Sequence, residues 1–332
     1  MKEARFWEKE RDTSRIRCLL CPHHCLIEED HVGICRVRQN QKGVLCAQTY
    51  GKISSLALDP VEKKPLYHFY PGRSILSVGS VGCNLRCLFC QNWHISQIGF
   101  QDFPLQEISP EALVELAEGN GSIGIAYTYN EPLISWEFVH DVSSLVRSKN
   151  LKNVLVTNGY IEKAPLQELL PLIDAMNVDL KSMDENFYRR YCDGTLSPVL
   201  STIEIAFRWG VHVEVTNLIV SRLNDQLELI EELVDWLAQL SPSIPLHFSR
   251  YFPAYRLENP PTPLSILEKA FVIAKKKLHF VYLGNVQDTE KNSTFCPSCG
   301  KLLVQRSGYA VKVVGLEGNR CKFCQTELPF RG

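Results

Sequence analysis

The 332-residue sequence predicts an α/β protein, a core of about six βα units with a small cysteine-rich, metal-binding module at each end. Three observations predict it. Short Val- and Ile-rich blocks bounded by Gly, Pro or Asn alternate with longer blocks whose apolar residues recur at three- and four-residue spacing. The alternation is confined to the middle of the chain, between about residue 55 and residue 290. Eleven of the 13 cysteines gather in groups of four, three and four, and both groups of four lie in the flanking pieces.

The bulk numbers narrow the function classes. Composition is that of an ordinary globular protein, 45% hydrophobic and 22% charged. Net charge is −1, whereas a protein held by phosphate contacts carries an excess of Lys and Arg, so nucleic acid is disfavoured as a partner. The opening MKEARFWEKERDTSRIR has no apolar h-region, and no run approaches the roughly 18 apolar residues of a membrane helix. Clustered thiols in such a chain read as metal ligands, and a reducing, cytoplasmic location away from membranes is the expectation.

Taken in order, residues 1–55 form the first module. Cys18, Cys21, Cys25 and Cys35 supply four ligands for zinc or a second [4Fe–4S] cluster, with His23 and His24 as substitutes for one of them. The core spans residues 56–289. Its strand candidates are 74–80, 122–128, 153–158, 175–180, 212–220, 245–252 and 279–284. Ser109 as N-cap, Pro110 at the first helical position and Gly119 past the end mark one helix. Residues 131–150, 226–240 and 263–277 show the periodicity of helices with one buried face. Residues 290–332 form the last module. Cys296-x2-Cys299 and Cys321-x2-Cys324 are two knuckles that close a tetrahedron, a zinc ribbon or rubredoxin-like site with zinc preferred.

The central group, Cys83-x3-Cys87-x2-Cys90, follows the first core strand directly. In a parallel α/β barrel that end of the strands carries the active site. Three thiolates from one loop reach three corners of a [4Fe–4S] cube and leave one iron open. The alternative is a tetrahedral zinc site completed by a distant thiol such as Cys46 or Cys192. Cys192, between FYRRY and Asp193-Gly194, is also a candidate hydrogen-atom donor.

CNLRCLFC resembles the CxxxCxxC signature of radical S-adenosylmethionine (SAM) enzymes. Together with CLLCPHHC, GICRVRQN, DPVEKKPLYHFYPG, CQNWHISQ, YTYNEP, VTNGY, NVDLKS and FCPSCGKL, the chain resembles the radical SAM member of the AmmeMemoRadiSam system, a family similar to pyruvate formate-lyase activating enzymes. The resemblance covers nearly the whole chain. It implies a partial (β/α)6 barrel, a reduced cluster, and cleavage of SAM to a 5′-deoxyadenosyl radical that takes hydrogen from a protein or small-molecule substrate. It also implies a reductant such as flavodoxin or ferredoxin, and partners with Memo-like and AMMECR-like domains. Installation of a glycyl radical on a partner protein is the narrower version. The non-enzymatic alternative is an iron–sulfur or zinc protein that binds nucleic acid or partner proteins.

The resemblance also assigns a SAM pocket. Tyr129, Asn130 and Glu131 stand where activating enzymes carry Gly-Gly-Glu-Pro, whose backbone receives the SAM amino group; here Tyr129 and Asn130 replace the glycines. Thr157 and Asn158 correspond to the segment near the ribose, with Val156 where activating enzymes place a cation-binding Asp. Asp179 and Lys181 point the same way at the end of the fourth strand, with Lys181 toward the SAM carboxylate. Arg250 is a further candidate for an anionic group, while His247 and His279 read as satisfied strand-end histidines.

Overall fold

The computed structural model describes residues 2–11 and 13–332. Its centre is one eight-stranded sheet built from β1 (Ser55–Pro60), β2 (Ser74–Gly79), β3 (Gly124–Tyr127), β4 (Lys152–Thr157), β5 (Ala175–Asp179), β6 (His212–Ile219), β7 (Leu246–Arg250) and β8 (Val281–Gly284). The strands lie in chain order across the sheet. Only β1 runs antiparallel, as a partner of β2. The other seven are parallel, which requires six crossovers and matches the alternation in the sequence. Parallel strands covered on both faces tolerate few polar residues. Ile125, Val154, Leu155, Ala175, Met176 and Val178 are accordingly sealed from solvent.

The crossovers carry α1 (Pro110–Gly119), α2 (Trp136–Ser148), α3 (Lys163–Leu169), α4 (Ser197–Trp209), α5 (Leu227–Leu240) and α6 (Leu264–Lys275). Ser109 caps α1 as its sequence predicts, its Oγ accepting from Ala112 N at 3.1 Å. Gly119 is the last helical residue, not the residue beyond it. Residues 131–150 do not make one continuous helix: Pro132–Ser135 form a tight 3₁₀ turn before α2 begins. Neither α3 nor α4 is anticipated by the sequence reading above. α4 ends at Gly210, whose φ of +94° suits the left-handed cap.

The flanking pieces differ in independence. The N-terminal piece pairs Trp7–Lys9 with Ile16–Cys18 and Arg38–Gln41 with Val44–Ala47. Its Ile16, Leu20 and Leu45 share one apolar cluster with Leu76, Val78 and Trp136 of the core. A buried Arg38–Glu137 ion pair at 3.0 Å fastens it to α2. Residue 55 already belongs to the sheet, opposite Gly79, so the division at 55/56 passes through β1. The C-terminal piece has its own small core, in which Leu303, Val304 and Phe330 pack on Phe280 and Tyr282.

Candidate functional site

At the C-terminal ends of the parallel strands lies a cavity of about 650 Å³. Cys83, Cys87 and Cys90 line it on one side. The loop that carries them leaves β2 through Gly82 at φ +84°. A Cβ there would stand 2.5 Å from Cys35 O and 2.8 Å from Val37, so only glycine lets the loop pass the N-terminal piece. Arg86 N donates to Cys192 O at 2.7 Å and Leu88 N to Tyr191 O at 2.9 Å, which hangs the loop on the wide π-turn Tyr188–Cys192.

The sulfurs have donors around them. Cys83 Sγ accepts from Leu85 N at 3.3 Å and from Asn158 Nδ2 at 3.5 Å, and Cys90 Sγ lies 3.1 Å from Ser96 Oγ. Burial pushes the Cys83 and Cys90 thiols up. A hydrogen bond from Cys192 draws the Cys87 thiol down. The three sulfurs edge a cavity and are surrounded by N–H and hydroxyl groups that stabilise thiolate. They do not form a set converging within 4.8 Å, as single-ion ligands do. That donor set fits a [4Fe–4S] cluster and not a tetrahedral ion.

Cys192 is fully buried behind Cys87 and is not among the residues lining the cavity. Hydrogen-atom donation from its thiol into the cavity is therefore not what the geometry offers. Cys46 is not among the residues lining the cavity, and its Sγ is directed at Val44 O.

The β3 end supplies Tyr129, Asn130 and Glu131, all on the cavity wall. Tyr129 holds φ +73°, so a left-handed residue stands where the resembled motif has glycine. Two contacts hold it there: Tyr129 Oη donates to Asp59 Oδ2 at 2.6 Å, and Lys64 Nζ sits 4.6 Å above its ring. The Asn130 side chain accepts from Ser80 N at 2.9 Å and donates to Val81 O and Gly82 O at 3.1 and 3.0 Å. It thus staples the exit of β2 just ahead of Cys83.

Glu131 is buried. Its carboxylate accepts from Leu133 N at 3.0 Å, Thr157 Oγ1 at 2.7 Å and Asn158 N at 2.8 Å. Burial outweighs those donors and pushes its pKa up to about 7. Between its unfolded value near 4.5 and about 7 the folded chain therefore binds the extra proton, and stability falls as pH rises through that window. Urea melts of the apoprotein between pH 5 and 8 are expected to show this loss, at most about 3 kcal/mol. Glu131→Gln should flatten it.

Thr157 and Asn158 also line the cavity, but their polar atoms are engaged within the protein. Thr157 donates to Glu131 and accepts from Gly159 N, and Asn158 Nδ2 donates to Asn84 Oδ1 at 2.9 Å and to Cys83. Neither the hydroxyl nor the amide is free: Thr157 is held by Glu131 and Gly159, and Asn158 props the cysteine loop.

Asp179 ends β5, and Lys181 follows two residues beyond, with Nζ 3.0 Å from Asp179 Oδ2. Both line the cavity. Burial opposes the Lys181 charge, but the Asp179 carboxylate and the Cys87 sulfur overcome it and hold the pKa well above the ordinary lysine value. Arg250 does not reach this site: its Nε donates to Thr262 O at 2.9 Å, its guanidinium lies over Phe252, and it is not among the lining residues.

The far wall is the part sequence reasoning missed. Glu62, Lys63 and Tyr67 from the segment after β1, and Gly308 and Tyr309 from the C-terminal ribbon, close it. Beneath them Glu214 is wholly buried in β6. It accepts from His247 Nε2 at 2.6 Å, His212 Nε2 at 3.0 Å, Tyr67 N at 3.0 Å and His68 N at 2.7 Å. His247 is thus satisfied, as is His279 beside Ser243. Arg306 of the ribbon donates to Tyr67 O at 2.5 Å and to Thr294 Oγ1 at 2.8 Å, and its Nε lies 3.8 Å from Glu62. A carboxylate inside the strand sequence HVEVTNLIV is the one signal that could have found this network.

In the outer modules, Cys296 Sγ and Cys324 Sγ are 3.6 Å apart and Cys299 Sγ and Cys321 Sγ 3.7 Å. All four ligand atoms lie within 4.8 Å of one another, the spacing a single tetrahedral ion requires. Cys18, Cys21, Cys25 and Cys35 surround a separate small cavity. His23 and His24 do not stand in for a cysteine: His23 Nε2 is 2.6 Å from Asn84 O, and His24 Nε2 pairs with Glu162 at 2.9 Å.

Residues 77–237 match the family described as the Radical SAM superfamily. The uncharacterized protein MJ0808 of Methanocaldococcus jannaschii is 46% identical over 333 residues, covering 99% of each chain. Pyruvate formate-lyase-activating enzyme of Clostridium pasteurianum is 24% identical over 159 residues, 46% of this chain and 65% of that enzyme. Among solved structures, Streptococcus suis SuiB bound to S-adenosylmethionine superposes with a TM-score of 0.51 at 15% identity, over 64% of this chain and 52% of SuiB.

Proposed function

The chain belongs to the radical SAM superfamily and is a radical SAM enzyme, and from that premise we propose that Cys83, Cys87 and Cys90 hold the [4Fe–4S] cluster beside a partial (β/α)6 barrel whose cavity takes SAM and then the hydrogen donor. One observation carries the reading: three cysteines of one loop edge a cavity at the C-terminal ends of parallel strands, opposite the charged pair Asp179–Lys181. The cluster, once reduced, supplies the electron for cleavage of SAM.

The protein's own groups do the rest. Lys181, steadied by Asp179, offers a cation to the SAM carboxylate. The backbone of Tyr129–Glu131 receives the amino group, and Thr157 and Asn158 frame the ribose end. Asn130 and Asn158 keep the cysteine loop in one geometry through hydrogen bonds of 2.9–3.5 Å. Tyr67 and Tyr309 cover the far end and limit water there.

Anaerobic reconstitution with iron, sulfide and SAM, followed by dithionite, is expected to yield 5′-deoxyadenosine. An intact cluster that yields none rejects the reading. Deuterated extract fractions then identify the donor, because its label appears in 5′-deoxyadenosine. A second reading is favoured by the relationship to pyruvate formate-lyase-activating enzyme: the hydrogen comes from a glycine of a partner protein. It predicts a protein-borne doublet in electron paramagnetic resonance (EPR) when that partner is added. Membership of the AmmeMemoRadiSam system, with Memo-like and AMMECR-like partners, a flavodoxin or ferredoxin reductant and a cytoplasmic site, completes the proposal. Affinity capture of tagged partners tests that part. No helix among the described residues is long and apolar enough to cross a membrane.

For the C-terminal site we propose zinc with a structural role. Cys296→Ser is expected to remove one metal ion per chain and lower the melting temperature, while SAM cleavage by the surviving folded protein stays within about threefold of wild type. Metal analysis and calorimetry check it.

A further inference from the structure

The N-terminal cysteines differ from the C-terminal ones in a way that bears on what they hold. In the ribbon the four sulfurs close on a point. Cys18, Cys21, Cys25 and Cys35 instead stand around a small, partly open cavity of about 10 Å³, and they do not form a set converging within 4.8 Å among the described residues. A tetrahedral zinc with Zn–S bonds of about 2.3 Å leaves no such space between its thiolates. A four-iron cube carries one thiolate per iron and spreads them around a solid body.

A second observation concerns charge. Arg38 lines the same cavity and is 1% exposed. Its Nη atoms are bound by Glu137 and by Arg5 O, but its buried Nε has no hydrogen-bond partner among the described residues. A buried guanidinium N–H is rarely left unmatched. Sulfide or thiolate of an anionic cluster is an acceptor suited to it, and hydrogen bonds to cluster sulfur are one of the means by which a protein sets cluster potential.

Position is the third observation. His23, another lining residue, touches Asn84 O at 2.6 Å, next to Cys83. Gly82 of the central loop passes against Cys35 O so closely that no side chain fits between them. The N-terminal cysteine segment and the central cysteine loop are therefore in direct contact.

We propose that Cys18, Cys21, Cys25 and Cys35 bind a second [4Fe–4S] cluster, with Arg38 Nε–H donating to it, and that this cluster passes electrons to the central one. The relay rests on the function proposed above; the metal assignment does not. A cluster held by Cys18, Cys21, Cys25 and Cys35 would take one electron from a flavodoxin- or ferredoxin-class donor and pass it to the cluster held by Cys83, Cys87 and Cys90, with no bond made or broken.

The test is metal analysis, Mössbauer and EPR spectroscopy of the full chain purified and reconstituted without oxygen. Cys18→Ala/Cys25→Ala is expected to lose roughly four iron atoms per chain relative to wild type and to keep its zinc. The triple variant Cys83→Ala/Cys87→Ala/Cys90→Ala is expected to retain roughly four iron atoms with a cubane Mössbauer signature, which covers the case in which the double variant fails to fold. If the N-terminal double variant loses zinc instead, or the triple variant holds no iron, the assignment is overturned. Reduced wild type should show spin–spin broadening between two clusters that each variant abolishes; two independent signals would overturn the relay. A SAM-induced change in the signal of the N-terminal double variant is the separate check on the central site, so either idea can fail alone.

Discussion

Cys87→Ala is expected to abolish 5′-deoxyadenosine formation, with activity falling by more than about 100-fold, since even loss of an outer-shell contact at a metal centre costs 10- to 100-fold. Cys87 is central in the loop, and its sulfur faces both Cys192 and the Lys181 charge. Its removal would delete one corner of the proposed cluster and leave the Cys192 thiol, fully buried, without that sulfur. Iron content and the SAM-responsive EPR signal should fall in step with activity. The fold should survive, because the loop is held through backbone bonds to Tyr191 and Cys192 that the substitution leaves intact. A variant with wild-type iron content and wild-type turnover would remove Cys87 from the site.

Glu214→Ala is expected to be the most damaging single change to stability, about 3–5 kcal/mol, the range for uncoupling a buried charge from its partners. Its carboxylate satisfies two imidazoles and two backbone N–H groups at once. No water reaches the pocket to replace it, for Glu214 and its strand neighbours are sealed. Burial alone would raise its pKa; the hydrogen bonds from His212 and His247 reverse that and hold it well below the carboxylate range. A depressed acid stabilises the fold above its unfolded pKa and loses that contribution as pH falls toward the folded value. Denaturant melts should therefore show the gap between wild type and Glu214→Ala narrowing below about pH 4.

These two residues mark the limits of what the sequence makes legible. Cys87 announces itself because its partners lie within seven residues, Cys83 to Cys90, and thiolate chemistry leaves few alternatives. The parallel sheet is legible for a similar reason: local β-branched runs bounded by turn residues coincide with β2 to β8 to within a few residues. Glu214 is silent because its acceptors' partners are 33 and 147 positions away, on elements that meet only after folding. α4 is missed because the β-branched Val199, Thr202, Ile203 and Ile205 weaken the local helix signal, while packing of Val199, Ile203 and Ala206 and the Gly210 cap decide for helix. Thr157 and Asn158 show a subtler limit. Their placement at the cavity follows from the family resemblance and not from the turn itself, and Glu131 and Asn84, which engage their polar atoms, come from two other crossovers.

The contacts of Arg306 impose an order on biosynthesis. Tyr67 O waits for a partner 239 positions downstream, and Glu62 beside it is almost completely enclosed once folded. Until the ribbon has been translated, that acidic side chain would face an uncapped hollow and keep its hydration. Dehydration of this corner, and with it the finished wall of the reaction chamber, has to await delivery of the guanidinium by the ribbon. A nascent chain halted after β8 would thus carry all three cysteines of the central loop yet display an open, wet cavity, in which, on the proposed function, a radical would meet solvent before substrate.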